Sequence, residues 1–324
     1  MNVHEGIEGL EQLPAGAVIS IGNFDGLHLG HARILQTMMS LQHAMPGAHR
    51  ALVTFEPHPL TILRPELAPP RLTPYPLKRR LLELAGVEHL VILPPSREVL
   101  GLTAEKFWEI LRDRVRPSHI VEGSRFNFGK GRSGTIERLR EWTSQSQVKL
   151  HVVEKVQVPL LNLHIVEVSS SLVRWLIAYG RVRDAAICLG RPYGLQGLVV
   201  RGFGRGREID VPTANLDCKD QLIPTDGVYA GRCKLGGKVH PAAISIGTMP
   251  TFGEHQRQIE AHLLGFSGDL YDQVIEVELT DWIRDQVRFD GVQQLRDQLA
   301  VDFLDVRSRA KVDVIRPIAE LAVT

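Results

Sequence analysis

The sequence is short of several features, and each shortage removes a class of function. Lys and Arg number 38 against 37 Asp and Glu, a formal net charge of +1, so no excess of one sign is available to track a nucleic acid backbone or an anionic membrane. The three cysteines, Cys188, Cys218 and Cys233, are odd in number, widely spaced and without a CxxC pair. That pattern suggests neither a disulfide framework nor a zinc site, and reads as reduced, structural thiols. No stretch approaches the ~20 apolar residues a membrane span needs, and MNVHEGIEGL lacks the basic-then-apolar order of a signal peptide. Internal repeats, low-complexity tracts and heptad arrays are missing as well. The expectation is a cytoplasmic protein whose partners are small molecules, with neither nucleic acid nor membrane among them; the pattern fixes no oligomeric state.

What is present is enough chain for two cores. At 324 residues the sequence exceeds what a single core usually serves, and its texture changes part-way. Up to about residue 156, apolar runs such as AVISIG (17 to 22), ALVTFE (51 to 56) and HLVIL (89 to 93) alternate with amphipathic segments. Among these, PLKRRLLELAG and TAEKFWEILRDRV read as helices, the second with Thr103 as its cap. Such βαβα alternation predicts an α/β fold, a parallel sheet with helices on both faces. Two helical stretches, SLVRWLIAYG and RVRDAAICLG, close this first domain, assigned to residues 1–187. Beyond GRPYG the pieces are strand-like and separated by glycine turns, with Gly236-Gly237 reading as a hairpin. The last segment spaces Val292, Leu295, Leu299 and Phe303 as one helical face. Residues 188–324 are therefore expected to form an antiparallel β-barrel followed by a terminal helix.

In the first domain, IGNFDGLHLGH places a buried-type strand before Asn23, Phe24, Asp25 and Gly26, with a helix opening around Leu29. His28 and His31, three apart, fall on one side of the helix start, where backbone amides attract phosphate. Two imidazoles there can donate hydrogen bonds to an α-phosphate as charge builds during in-line attack. Taken alone, the pair reads equally as polar surface or as metal ligands, and Asp-Gly reads as a turn. Downstream, SSSLVR (169 to 174) offers Ser170, Ser171 and Arg174 as phosphate ligands, with helix capping by Ser169 or Ser170 the competing reading.

In the second domain, GFGRGREIDVPTANL (202 to 216) combines a glycine loop, where Gly204, Arg205, Gly206 and Thr213 can approach phosphate, with an extended PTAN whose Thr213 and Asn215 oxygens suit Mg²⁺. Standing alone, the string reads first as a glycine-rich hairpin loop. Glu260 in QIEAHLLGF alternates with apolar residues and can face a site as a general base; an exposed barrel position is the alternative.

Taken as an ordered set, FDGLHLGH, TFEPHP, FNFGKGRSG, LGRPYGLQG, PTANL, GVYAG, SIGTMPTFG and GDLY resemble the bacterial bifunctional riboflavin kinase/FAD synthetase family over nearly the whole chain. The resemblance implies a Rossmann-like nucleotidyltransferase domain that adenylylates FMN to FAD and a riboflavin kinase-like barrel that makes FMN, both using ATP with Mg²⁺. It implies that His28 and His31 stabilise adenylyl transfer, that Asn23 and Asp25 line the ATP site, and that Ser170, Ser171 and Arg174 grip phosphates. It places His58 and Asn127 near the flavin. In the kinase half it gives Thr213 and Asn215 to Mg²⁺ and phosphate, and Glu260 to the proton of the ribityl 5′-hydroxyl. Five positions depart from the family pattern: Arg125 where an acidic residue is usual, Ser171 for threonine, Asp210 and Val211 for glycine and a bulkier apolar residue, and Asp272 for a glycine in a turn. The expected consequence of Asp210 is weaker ATP binding by the kinase half.

Overall fold

A strand that is buried at every position needs cover on both faces, and Val18–Ile21 is buried at all four. In the computed structural model, which describes residues 1–202, 206, 209–248 and 257–310, this segment is β2 of a six-stranded parallel sheet. The other strands are β1 (Asn2–Glu5), β3 (Arg50–Phe55), β4 (His89–Leu93), β5 (His119–Gly123) and β8 (Lys149–Val153), in the order β1-β4-β3-β2-β5-β8. Between β5 and β8 a short hairpin pairs β6 (Asn127–Phe128) with β7 (Gly134–Thr135). Of the six strands of the parallel sheet, β1 escaped the sequence reading, because four residues with a half-exposed pattern carry no apolar run.

Strand alternation sends neighbouring residues to opposite faces. Thus Ile19, Val53 and Val91 join one core with Phe107, Trp108, Leu111 and Leu139, while Val18, Leu52 and Leu90 join another with Leu35, Met38, Leu77 and Leu81. The helices concerned are α1 (Leu29–His43), α3 (Tyr75–Leu84), α5 (Ala104–Glu109, continued as a wider turn to Val115) and α6 (Ile136–Ser144); α2 (Leu60–Leu63) and α4 (Arg97–Gly101) are single turns. Thr103 and Thr135 cap α5 and α6, accepting from the amides of Lys106 and Arg138.

From β2 the chain lays β3 and β4 to one side; β5 and β8 fall on the other. The reversal between β2 and β5 is a topological switch point, the place where open parallel sheets bind ligands at strand C-termini.

Contacts divide the described residues into two compact units, Met1–Pro69 with Tyr75–Gln157, and Pro70–Pro74 with the described residues from Val158 to Ala310. The division therefore falls ahead of residue 187. In the second unit, β9 (Gln157–Pro159) and β10 (Ile165–Glu167) form a ribbon, followed by α7 (Ser170–Ala178) and α8 (Val182–Leu189). Helix α8 buries Val182, Ala185, Ala186 and Leu189 and packs on the barrel strands β11 and β16.

The barrel is closed and antiparallel: β11 (Tyr193–Val200), β12 (Ala214–Asp217), β15 (Gln258–Leu263), β14 (Lys238–Gly247), β13 (Gly227–Leu235), β16 (Val274–Arg284). Burial alternates along β15 and most of β16, the signature of one face in the barrel and one outside. Gly236 and Gly237, with φ of 54° and 78°, make the β13–β14 hairpin turn. The terminal helix α9 (Val292–Arg309) follows. Its inward face differs from the apolar spacing: Val292 is 46 % exposed, whereas Asp302 is buried. A carboxylate holds this core position because Arg284 reaches it, Nη2 to Oδ2 at 2.7 Å.

Candidate active sites

Three segments singled out from sequence leave the C-terminal ends of adjacent parallel strands, Asn23 to His28 after β2, His58 after β3 and Asn127 after β5. The first is a tight turn with Phe24 (φ 48°), Gly26 (φ 84°) and Leu27 (φ 38°) in the left-handed region. Side chains other than glycine rarely adopt that backbone. Here Phe24 and Leu27 are each 1 % exposed, so burial of two large apolar groups offsets the strain. The Thr54 hydroxyl donates to the Asn23 carbonyl at 3.2 Å. Asn23 and Asp25 stay partly exposed beside the turn.

His28 is the N-cap of α1, its Nδ1 accepting the His31 amide at 3.3 Å. The two rings stack with centroids 3.8 Å apart and 14° between planes, and Phe24 leans on His31 at 5.1 Å. A ring nitrogen that accepts from an amide is unprotonated, so the hydrogen-bond pattern assigns the His28 proton to Nε2. That nitrogen can donate to an anion at the helix start.

His58 is fixed by its own turn, Nδ1 accepting the Leu60 amide at 3.2 Å and its carbonyl accepting the Thr61 hydroxyl at 2.7 Å. Lys78, 3 % exposed, supports the same segment: its ammonium donates to the Phe55 carbonyl at 3.4 Å and pairs with Glu56 at 3.3 Å. Sequence reasoning did not single out Lys78, although its place three and four residues before Leu81 and Leu82 is a buried-face position. Asn127 donates to the carbonyl of the exposed Arg125 at 2.7 Å, and Phe126 stacks on Phe128 at 5.3 Å.

Ser170, Ser171 and Arg174 belong to the second unit, in the first turns of α7. Ser169 caps that helix, accepting the Leu172 amide at 3.2 Å. Arg174 Nε donates to the Pro70 carbonyl at 2.8 Å.

In the barrel, Asn215 of β12 stands directly opposite Glu260 of β15, and Glu260 stands opposite Ser245 of β14. Cross-strand partners share a face, so amide, carboxylate and hydroxyl lie side by side. Gly202 makes this possible: a Cβ there would collide with the Asn215 amide. Thr213, just before β12, lines a cavity of about 310 Å³ with Val199, Ala214, Ala261, Leu263 and Tyr271. Gly206 closes the loop by accepting the Val211 amide at 2.7 Å, and a Cβ on it would strike the Val211 carbonyl. Gly204 and Arg205 lie outside the described residues.

Asp210 and Asp272 take φ of 59° and 61°, the conformation for which glycine is the default and Asp among the few tolerated replacements. The Asp210 side chain is 97 % exposed and 4.0 Å from Arg296 of α9. His262, two residues beyond Glu260, was missed from sequence; its Nδ1 lies 2.7 Å from the Pro212 carbonyl and its ring stacks on Phe303 at 4.8 Å. Among the described residues, no group of three or more His, Cys, Asp or Glu is arranged to hold a metal ion.

A family model described as FAD synthetase matches residues 10–171, and one described as riboflavin kinase matches residues 189–310. A bifunctional riboflavin kinase/FMN adenylyltransferase of Escherichia coli (strain K12) is 35 % identical over 314 residues, covering 95 % of this chain and 97 % of that protein. The chain belongs to the bifunctional riboflavin kinase/FMN adenylyltransferase family. Another member, from Bacillus subtilis (strain 168), is 31 % identical over 298 residues, covering 90 % and 92 % of the two chains. Among solved structures, one described as a macrolide-efflux protein from Streptococcus pneumoniae superposes with a TM-score of 0.83 at 28 % identity, over 95 % of this chain and 99 % of that one. Among the described residues here, no helix is long and apolar enough to cross a membrane. Within the family's two models, the FAD synthetase part holds Asn23, Asp25, His28, His31, His58 and Asn127, and the riboflavin kinase part holds Thr213, Asn215 and Glu260.

Proposed function

We propose that the chain phosphorylates riboflavin to FMN in its C-terminal half, residues 188–324, and adenylylates FMN to FAD in its N-terminal half, residues 1–187. Small molecules are its substrates: riboflavin, FMN and ATP. Its place is the cytoplasm. The observation that carries the reading is the stacked, cap-forming pair His28 and His31 at the C-terminal edge of the sheet, in a chain of this family.

In adenylylation, an FMN phosphate oxygen attacks the α-phosphorus of ATP; the new P–O bond forms as the bond to the β-phosphate oxygen breaks and pyrophosphate leaves. His28 Nε2–H, His31 and the α1 amides donate to the α-phosphate oxygens, where charge is greatest in the transition state. Asn23 and Asp25 orient the nucleotide, His58 and Asn127 the flavin, and Ser170, Ser171 and Arg174 bind phosphate oxygens.

In phosphorylation, Glu260 takes the proton of the ribityl 5′-hydroxyl as its oxygen attacks the γ-phosphorus and ADP leaves. Thr213 with Gly204, Arg205 and Gly206 would approach the phosphates. The oxygen donors of Thr213 and Asn215 fit Mg²⁺, a hard cation that takes few protein ligands and completes its shell with phosphate and water, and the bare Gly202 leaves room for the Asn215 amide. When bound, Mg²⁺ neutralises charge on the transferred phosphoryl group.

The test is a time course of purified protein with riboflavin, ATP and Mg²⁺, flavins being separated by chromatography. FMN rising and FAD following is the expected result. Riboflavin persisting while added FMN becomes FAD would remove the kinase half, and no product from either flavin would remove the whole reading.

A further inference from the structure

Glu122 is a buried carboxyl group that the reactions above do not use. It sits on β5 with 2 % exposure, and its Oε1 accepts the Ile21 amide of β2 at 2.7 Å. The position of that bond in the sheet gives it meaning. On the β3 side, β2 is fully laddered, with Val18 N bonded to His49 O at 2.8 Å and Gly22 N to Val53 O at 2.9 Å. Amides alternate along a strand, so the Ile21 N–H points toward β5. Yet the β2–β5 ladder ends at the pair Ile19 and Ile120. The two strands part at the switch point, and a buried amide left there without an acceptor would be destabilising. The Glu122 side chain supplies the acceptor. Two residues further on begins the strained turn from Asn23 to His28.

We propose that Glu122 is a positioning residue of the adenylyltransferase site, a brace that replaces a missing ladder bond and fixes the end of β2 from which Asn23, Asp25 and His28 spring. The proposal rests on the reading of the N-terminal half as the adenylyltransferase. The brace works in its neutral form: burial raises the carboxyl pKa well above the usual range, against the lowering effect of the Ile21 amide and the neighbouring Ser20 hydroxyl. An uncharged acceptor of the same shape should therefore serve as well.

The experiment compares full-length wild type, Glu122→Gln and Glu122→Leu in FMN adenylylation (kcat and KM), in riboflavin phosphorylation by the same preparations, and in thermal unfolding between about pH 5 and about pH 8. Glu122→Gln keeps an acceptor and is expected to hold adenylylation kcat within about threefold of wild type, whereas Glu122→Leu should lower it by about tenfold or more with the kinase rate unchanged. The stability sign follows from the raised pKa. Wild-type stability from this group is full below the unfolded carboxyl pKa of about 4.3 and is lost as pH rises toward the folded value, a loss that Gln does not suffer. The Tm of Glu122→Gln should thus exceed that of wild type by a margin that grows with pH. Wild-type kcat in Glu122→Leu, or equal impairment in the Gln and Leu variants, overturns the proposal. If Glu122→Leu does not fold, Glu122→Gln decides alone: normal kcat with raised Tm supports the brace, and lost kcat overturns it. Failure of wild type itself to adenylylate FMN would instead overturn the functional reading beneath it.

Discussion

His28 caps the helix in which His31 sits: its Nδ1 takes the His31 amide at 3.3 Å while the two rings stack 3.8 Å apart. One side chain thereby ends a strained turn, starts a helix and presents its remaining nitrogen as a donor. The structural and chemical roles can be separated. Replacing His28 by Ala removes both, and should lower adenylylation kcat by about two to three orders of magnitude while costing about 1 kcal/mol of stability. His28→Asn restores a cap without the same donor, so its Tm should recover and its rate should not; steady-state kinetics alongside thermal unfolding checks both.

The juxtaposition of Asn215 and Glu260 makes a matching prediction for the barrel. Glu260→Gln keeps size and removes basicity, and should slow riboflavin phosphorylation by about 10²- to 10⁴-fold, with FMN adenylylation unaffected. Asn215→Ala should raise the Mg²⁺ concentration needed for half-maximal kinase rate, measured with riboflavin as substrate.

Asp210 holds a left-handed backbone with its carboxylate 97 % exposed, so its geometry is tolerated and its charge is the remaining liability toward ATP. Asp210→Gly should lower the kinase KM for ATP severalfold. Asp210→Asn, equally at ease in that conformation, should do the same if charge is the cause. An unchanged or raised KM in the glycine variant contradicts the expectation.

The cysteines should be inert in the folded protein. Cys188, Cys218 and Cys233 are buried, and burial pushes their thiols up to about 11, about 12 and about 11. A thiol reagent at about pH 8 should therefore react slowly with native protein and rapidly after denaturation, which absorbance titration reads directly.

Much of this was legible in the sequence for physical reasons. Buried parallel strands such as His89–Leu93 are largely apolar, and threonine caps sit at fixed distances from the helices they start, so both left local traces. The histidine site was legible because a strand, a turn and a cap occupy one short segment. Lys78, Glu122 and His262 were not, since each earns its role from a partner far away in sequence: Lys78 from Glu56, Glu122 from Ile21, His262 from Pro212. Helix α8 was read with the first domain because an amphipathic face does not say which core it covers; Val182 and Leu189 are buried in the unit that contains the barrel. Asp302 was invisible for the same reason, its burial depending on Arg284.

The central claim, two reactions carried by separate sets of residues, is tested most directly by mixing two variants. With riboflavin, ATP and Mg²⁺, Glu260→Gln alone should leave riboflavin unconverted, and His28→Ala alone should stop at FMN. The two variants together should make FAD, FMN from one supplying the other. Failure of the mixture to make FAD, with both variants folded, would contradict the division of labour.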